Sequence, residues 1–545
     1  MPAVNRIGFR SGIGLIVLAL CACGGGGSSS GDAASTEPQR VELAASAGQA
    51  GDLVYLPFEV PEGVNRIEAR FLDGTTDSIG LGVFDARGTE FLGPGFRGIA
   101  GEERREFFIA ADEATPGFIA GPFPAGQWNL VVPNYLTRGE IIAEVTMHFG
   151  ELSRTPSPQP VPEQLRAEGG WYRGDLHVHT AHSSDAFNSG NSLTPAEMAL
   201  RAQQLGLDFI AVTDHNVSTQ NDHLQADAPE DFLLLAGGEI TTWLAGPGHL
   251  IVAGLQSQEF VDWRFRPVDG IWAKPQSTWG EDEHPIQTVL GYARAQGFYT
   301  SAAHPFVAPG FGSNWGFFTD SDQDAAALPD GLEVWNDDFF ISGGTATLAR
   351  WDTELARGRR LCGNGGSDVH GVGGDIEVGT PTTVVYARTL SRADVVEALK
   401  ACRGYVTSGP DGPGLLLSAT GPDGQTVMMG DALIGGAGDR ATFSVRVIGG
   451  AGARLILTRG GLSVFSRAVD SDDQNFTTEL SLGNAGAVRA ELWPNALSAP
   501  FGFSPMALSN PVFYGTEAPQ PLREALSDVE REQAIARFPA AAQGQ

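Results

Sequence analysis

The chain has 545 residues, 42% of them apolar and 18% charged, the composition of a globular protein of roughly three to four domains rather than a disordered one. Lys and Arg total 35 against 65 Asp and Glu, a formal net charge of −30. That excess excludes a protein that coats nucleic-acid polymers, because phosphate-backbone binding needs a positive surface.

Arg6 and Arg10 precede an apolar run from Ile13 to Leu20, shorter than the ~20 residues a membrane span needs and suited to the core of an export signal. Leu20-Cys21-Ala22-Cys23, followed by glycines and serines, resembles a bacterial lipobox. The resemblance implies removal of residues 1–22, lipidation of Cys23 and a flexible tether over 23–40. The expected product is an exported lipoprotein of the cell envelope or periplasm, touching the membrane only through its lipid. An ordinary signal peptide with incidental cysteines is the alternative.

Residues 41–150 alternate short apolar runs with Gly/Pro/Asp turns, which predicts a β-sandwich; its "GPFPAGQWNLVV" resembles the small jelly-roll modules of secreted hydrolases. Gly93–Gly98 matches G-x-G-x-x-G but has no strand–helix context, so it is no nucleotide site. Residues 151–168 form a linker with four prolines in seven positions from Pro156, a spacer rather than regular structure. From 169 to 412, apolar runs of strand length alternate with helical stretches, which predicts an α/β fold, a barrel in particular. Thr194-Pro195-Ala196-Glu197 reads as a capping box with Pro at the first helical position, its helix stopping at Gly206. Residues 413–516 return to period-two alternation and predict a second β-sandwich; 517–545 hold a C-terminal helix and tail, with 519–537 reading as a short amphipathic helix packed on the surface. Cys362 and Cys402 can form a disulfide if export places them in an oxidising compartment.

The chemistry gathers at predicted strand ends. In "DLHVHT", His177 and His179 project from the same face of a strand. Asp214 and His215 end "FIAVTDH", Glu239 follows "LLLAGG", His249 starts "HLIVAG", His304 ends "FYTSAAH", and Asp368 and His370 stand two apart in "GGSDVH". Barrel active sites lie at the C-terminal ends of strands. A His/Asp/Glu set without Cys suits Zn, Mn or Fe. Asp214 is a candidate for orienting a neighbouring ligand, and Asn216 and Asn336 for contacting substrate; all three also read as ordinary strand-end residues. The insertion 256–284 carries Trp263, Arg264, Phe265, Arg266, Trp272, Lys274 and Trp279. It reads as a lid over the substrate, with Arg264 and Arg266 as contacts, or as a hydrophobic mini-core. His182 and His284 are not expected as ligands, and His148 and His223 read as surface or structural residues. No Walker A is present, and the one G-x-S-x-G, at Gly27–Gly31, lies in the tether.

The ordered set GDLHVHT, VTDHN, GGE, GH, AHP and GGSDVH resembles the PHP (polymerase and histidinol phosphatase) metallohydrolases. It is most similar to their exported CehA/McbA-like branch, named for carbaryl hydrolases. The resemblance covers about 170–410. It implies a distorted (β/α)7 barrel, here flanked by two β-sandwich-like domains, holding two to three divalent ions. By position, the first would bind His177, His179, Glu239 and Asp368. The second would share Glu239 and add His249 and His304, and the third would take Asp185, His215 and His370. The interval from His177 to Asp185 is one residue longer than the branch's H-x-H-T-x-x-S-D, a spacing other family members use for a third-site ligand. The implied reaction is hydrolysis of a small phosphate mono- or diester by a metal-bridging hydroxide, with Glu239, Asp368, His370 and Asp214 in the catalytic set. Hydrolysis of a carboxylic ester, carbamate or amide at the same centre is the second reading. A non-catalytic surface binding lipoprotein is the third.

Overall fold

The computed structural model describes residues 37–48, 53–72, 80–90, 93–101, 104–134, 139–150, 164–183, 191–221, 224, 228–241, 248–255, 265–266, 284–307, 315, 328–495, 504–521 and 523–542. The leader with Cys23, most of the Pro-rich linker, Asp185 and most of the 256–284 insertion lie outside them.

The first eight strands are β1 (Gln39–Ser46), β2 (Leu53–Val60), β3 (Val64–Phe71), β4 (Leu81–Phe84), β5 (Phe96–Ala100), β6 (Glu106–Ala110), β7 (Gly126–Pro133) and β8 (Glu140–Phe149). They form two four-stranded sheets, ordered β1-β8-β3-β6 and β2-β7-β4-β5, with every pairing antiparallel. Period two is plain in β2, where Leu56, Phe58 and Val60 are buried and Tyr55, Pro57 and Glu59 exposed. Inward side chains of both sheets, among them Ile67, Trp128, Leu130 and Ile141, share one core.

The central part runs β9 (Gly170–Val178), α1 (Pro195–Gln204), β10 (Phe209–Val212), β11 (Leu233–Thr241), β12 (His249–Ala253), the two-residue β13 (Phe265–Arg266) and β14 (His284–Pro285), α2 (Ile286–Gln296), β15 (Tyr299–Ala302), β16 (Gly331–Asn336), α3 (Gly344–Ala356), β17 (Cys362–Gly366), β18 (Thr382–Ala387), α4 (Arg392–Lys400) and β19 (Gly404–Thr407). The Thr194 capping box is formed, and α1 begins at Pro195 as its sequence predicts. The sheet order is β17-β16-β15-β12-β11-β10-β9-β18-β19. Strands β9, β10 and β11 are parallel, as are β15, β16 and β17. Their residues are buried along the whole run, as in β10 and β16, because parallel strands here are covered on both faces.

A strict strand–helix alternation is not what the described residues show. β12 lies antiparallel to both neighbours, with Thr241 opposite His249. The connection from Thr241 to His249 is shorter than the dozen or so residues a parallel crossover needs, so the chain can only turn back on itself. Just beyond β17, Val369 bridges to Val178 in parallel. There the His179 N–H donates to Val369 O and the Asp368 N–H to His177 O, each at 2.9 Å. The ends of the first and last strands of this run therefore meet.

The remaining strands are β20 (Gly414–Thr420), β21 (Thr426–Met428), β22 (Ala432–Ile434), β23 (Arg440–Ile448), β24 (Ala453–Arg459), β25 (Leu462–Ala468), β26 (Asp473–Ser481), β27 (Ala485–Pro494), β28 (Ala507–Ser509) and β29 (Val512–Gly515), followed by helix α5 (Asp528–Ala542). β21-β20-β23-β26 make a sheet of their own, whereas β28-β27-β24-β25 continue the central sheet through the pairing of β19 with β28. Helix α5 is amphipathic and packs by one face, with Arg531, Ala534 and Phe538 buried and Glu532, Gln533 and Ala536 exposed. Ala534 and Phe538 are fully buried, the Trp171 indole N–H donates to Ala534 O at 2.8 Å, and the Trp171 and Phe538 rings meet edge-on at 5.3 Å. Cys362, opening β17, is disulfide-bonded to Cys402, just past α4. Among the described residues, no helix is long and apolar enough to cross a membrane.

Candidate metal centre

Eight of the nine expected ligands fall in one buried cluster where the strand ends meet. His177, near the end of β9, and His179, just past it, face each other with their Nε2 atoms 3.0 Å apart. Asp368, past the end of β17, brings Oδ1 to 3.2 Å from His177 Nε2 and 3.1 Å from His179 Nε2. Glu239, near the end of β11, brings Oε2 to 3.2 and 3.3 Å from the same atoms. These four residues form one group able to hold a metal, with the membership expected for the first ion.

A second group is His215, Glu239 and His249. His249 stands at the start of its strand, yet the reversal of β12 brings that start beside the end of β11, and Nδ1 reaches Glu239 Oε1 at 2.7 Å. His215 Nδ1 lies 2.9 Å from Glu239 Oε2. His304 approaches the same carboxylate at 3.4 Å and Asp368 Oδ2 at 3.9 Å. The third group is His179, His215 and His370. The partition thus differs from the expected one. His215 serves both the second and third groups, His179 takes part in the third, and His304 stands slightly farther back than His249. Asp185 lies outside the described residues.

Neighbouring side chains set the orientation of the rings. His177 Nδ1 is 2.9 Å from Glu333 Oε1, inside β16. That carboxylate places the ring proton on Nδ1 and turns the Nε2 lone pair toward the cluster. Glu333 Oε2 in turn accepts the His304 N–H at 2.9 Å and the Asn336 amide at 3.0 Å. A Cβ at Gly366 would collide with both Glu333 Oε1 and the His177 Cβ, so glycine is what lets these groups approach. Asp175, fully buried, accepts the N–H groups of His177, Ser367 and Gly379 and pins β9 to the segment after β17. Sequence reasoning missed Glu333 and Asp175. The signal for Glu333 was an acid inside the otherwise apolar "GLEVW"; Asp175, between Arg173 and His177, carried none as clear.

Burial alone would push the Glu239 carboxyl up, but the His215, His177 and His249 imidazoles hold it well below the usual carboxylate range. Burial works the same way on Asp368, and the His177, His179 and His370 rings overcome it. The web is one of ionised carboxylates among imidazoles. Glu239 Oε2 accepts no hydrogen bond although it is buried and has three imidazole nitrogens within 3.3 Å. Two converging imidazole lone pairs, two carboxylates and one buried oxygen without a donor fit a divalent cation. The absence of thiolate fits Zn, Mn or Fe.

The other expected residues are placed as follows. Asp214 accepts the Thr180 N–H at 2.5 Å and its hydroxyl at 2.7 Å, which fixes the turn after His179. The Asn216 amide donates to Thr241 O and accepts the Thr241 N–H, closing the end of β11. Asn336 supports Glu333. Arg264 lies outside the described residues, and Arg266 is the second residue of β13. His182 belongs to none of the three groups and lies 3.0 Å from Thr219 Oγ1; burial pushes its pKa down to about 4.

No family model matches the chain, and no curated protein matches it. Solved structures give weak likenesses. One is a protein of Bifidobacterium adolescentis described as a metal-dependent phosphoesterase, with 20% identity over 42% of this chain and 96% of that one and a TM-score of 0.27. A second is an amidohydrolase from Chromobacterium violaceum with bound sulfate and no metal, with 18% identity over 37% and 89% of the two chains and a TM-score of 0.24. A third is the CARDB domain of a Pyrococcus furiosus protein, with 14% identity over 19% and 97% and a TM-score of 0.13.

Proposed function

We propose that the chain is a metal-dependent phosphoesterase of the PHP type that hydrolyses a small phosphate ester. The observation that carries the reading is the Glu239 carboxylate, buried and within 3.4 Å of the ring nitrogens of His177, His179, His215, His249 and His304. Three ligand groups that share Glu239, His179 and His215 suit adjacent ions, the arrangement used to clamp a transferring phosphoryl group. Bound divalent ions would polarise the phosphoryl oxygens and lower the pKa of water enough to supply a nucleophile near neutral pH.

The protein's own part is positional. His177, His179, Glu239 and Asp368 would hold the first ion, and His215, His249 and Glu239, with His304 behind them, a second. Glu333 keeps the His177 proton on Nδ1. Asp175 holds β9 and the Ser367–Asp368 segment at fixed spacing. Export and lipid anchoring at Cys23 are part of the same proposal, and the Cys362–Cys402 disulfide accords with an oxidising compartment.

The test is metal content of the purified soluble chain, with release of phosphate from aryl phosphates in added Mn or Zn. Two to three ions per chain and phosphate release, both lost in His177→Ala, are expected. Bound metal with cleavage of aryl carboxylic esters and no phosphate release would shift the reading to the carboxylic ester or carbamate alternative. Neither metal nor turnover would leave a binding scaffold.

A further inference from the structure

Two of the three ligand groups claim the same ring. His215 belongs with Glu239 and His249, and also with His179 and His370. A neutral imidazole has one nitrogen that donates and one with a lone pair to give, so the ring cannot serve both groups alike. Which nitrogen keeps the proton is set by the hydrogen bond offered to it.

The nitrogen that faces the second group is Nδ1, 2.9 Å from Glu239 Oε2. Thr241 Oγ1 is nearer, at 2.6 Å. Thr241 closes β11 two residues after Glu239, so the two side chains leave the same face of the strand, and it is fully buried. Its hydroxyl proton is directed at Glu239 O, at 3.5 Å, which leaves Oγ1 to accept the Nδ1–H. Glu239 Oε2 accepts no hydrogen bond and does not compete for that proton. The His215 lone pair is then on Nε2.

The backbone fixes this arrangement from both sides. His215 bridges to Glu239 in parallel, and the Asn216 N–H donates to Glu239 O at 3.0 Å. The Asn216 amide grips Thr241 twice, accepting its N–H at 2.8 Å and donating to its carbonyl at 2.9 Å. Asn216 takes φ 54° to do so, a conformation that persists only where the surroundings over-determine it. Across the ring, the His215 N–H donates to Ser183 Oγ at 3.4 Å, and the same oxygen lies 3.2 Å from His179 Nδ1. His215 is thus held by Thr241 at its ring and linked through Ser183 to His179.

We propose that Thr241 is a positioning residue of the metal centre. Its hydroxyl keeps the His215 proton on Nδ1 and so commits the ring, through Nε2, to the group with His179 and His370. This rests on the metal centre of the proposed phosphoesterase, not on the ester it cleaves. It also narrows that centre: the second ion keeps Glu239 and His249, with His304, and His215 drops out of its set. A hydroxyl is suited to the task because it accepts the ring proton without adding a charge that would itself bind an ion.

The test counts the Zn ions that the full-length chain, Thr241→Val and Thr241→Ser hold against a graded series of a chromogenic chelator. Val keeps the shape and removes the hydroxyl; Ser keeps the hydroxyl. In Thr241→Val one ion should be held about 10- to 100-fold less tightly, the usual cost of losing the outer partner of a metal-bound histidine. Thr241→Ser should match the wild type. The loss should vanish when Thr241→Val is added to His370→Ala, where the ion it acts on is already gone, and persist when it is added to His249→Ala. The reverse pattern would give His215 to the second ion and overturn the assignment. Unchanged affinities, or equal weakening of every ion, would overturn the role of Thr241, as would a His370→Ala chain that holds as many ions as the wild type. Should Thr241→Val not fold, Thr241→Ala is read in the same way. Phosphate release from 4-nitrophenyl phosphate is followed alongside. The expected ion pattern without release would uphold Thr241 and overturn the phosphoesterase reading alone, whereas a wild-type chain that holds no ion would overturn both.

Discussion

At the scale of single residues, the site depends on groups that never reach the cluster's centre. Glu333 fixes which nitrogen of His177 is free, and it also holds the His304 backbone. Glu333→Gln keeps the shape but removes the charge that places the proton on Nδ1. Metal affinity should fall about 10- to 100-fold, as is usual for an outer partner of a metal-bound histidine, measured by competition with a chromogenic chelator. Gly366→Ala should be at least as damaging, because its methyl group would occupy the space of Glu333 and His177; an unchanged affinity would show that the neighbours can yield. The cluster histidines were legible because each punctuates an apolar run, where an imidazole has no other reason to be. Glu333 was not, since a lone acid in "LEVW" reads equally as a strand's polar edge until its partner, 156 positions away, is known.

Among the elements, the expectation that failed most usefully concerns β12. "HLIVA" is apolar in either direction, so its pattern could not tell a parallel strand from an antiparallel one, yet its direction is what delivers His249 to Glu239. Only the short connection from Thr241 held that information. Helix α5 was legible as an amphipathic helix, but the group it packs against was not. Nothing local announced that Trp171, some 360 residues earlier, would need Ala534 O as acceptor. Phe538→Ala should cost about 3–5 kcal/mol, the usual penalty for emptying a buried aromatic site, read as a lowered midpoint in chemical denaturation with turnover unchanged below the transition. The disulfide closes a sequence separation of 40 residues, for which loop entropy gives about 4 kcal/mol. A Cys362→Ala/Cys402→Ala variant should lose up to that amount, and reductant should then leave its midpoint unmoved.

For the whole molecule, the question is how independently its parts stand. The change from period-two strands to longer apolar runs was visible in the sequence, but contacts across such a change leave no local trace. Phe84, Phe96, Ile99 and Val131, from the N-terminal sheets, join the same buried apolar cluster as Met198, Ile210 and Ile240 of the central part. The Gly117 N–H also donates to Thr219 Oγ1 at 3.0 Å, and Thr219 in turn meets His182, on the segment that follows His179. The N-terminal sheets therefore cover apolar surface next to the turn that leaves the first metal-binding strand. A chain beginning at residue 151 would expose that surface to water, and patches of this kind drive association. It should bind a hydrophobic dye, lose solubility and unfold at lower temperature than the full chain. Turnover should fall with it, through slackening of the His179–Ser183 turn rather than through loss of a ligand. A shortened chain with the full chain's melting temperature and turnover would instead mean that the sheets pack against a central part already complete without them.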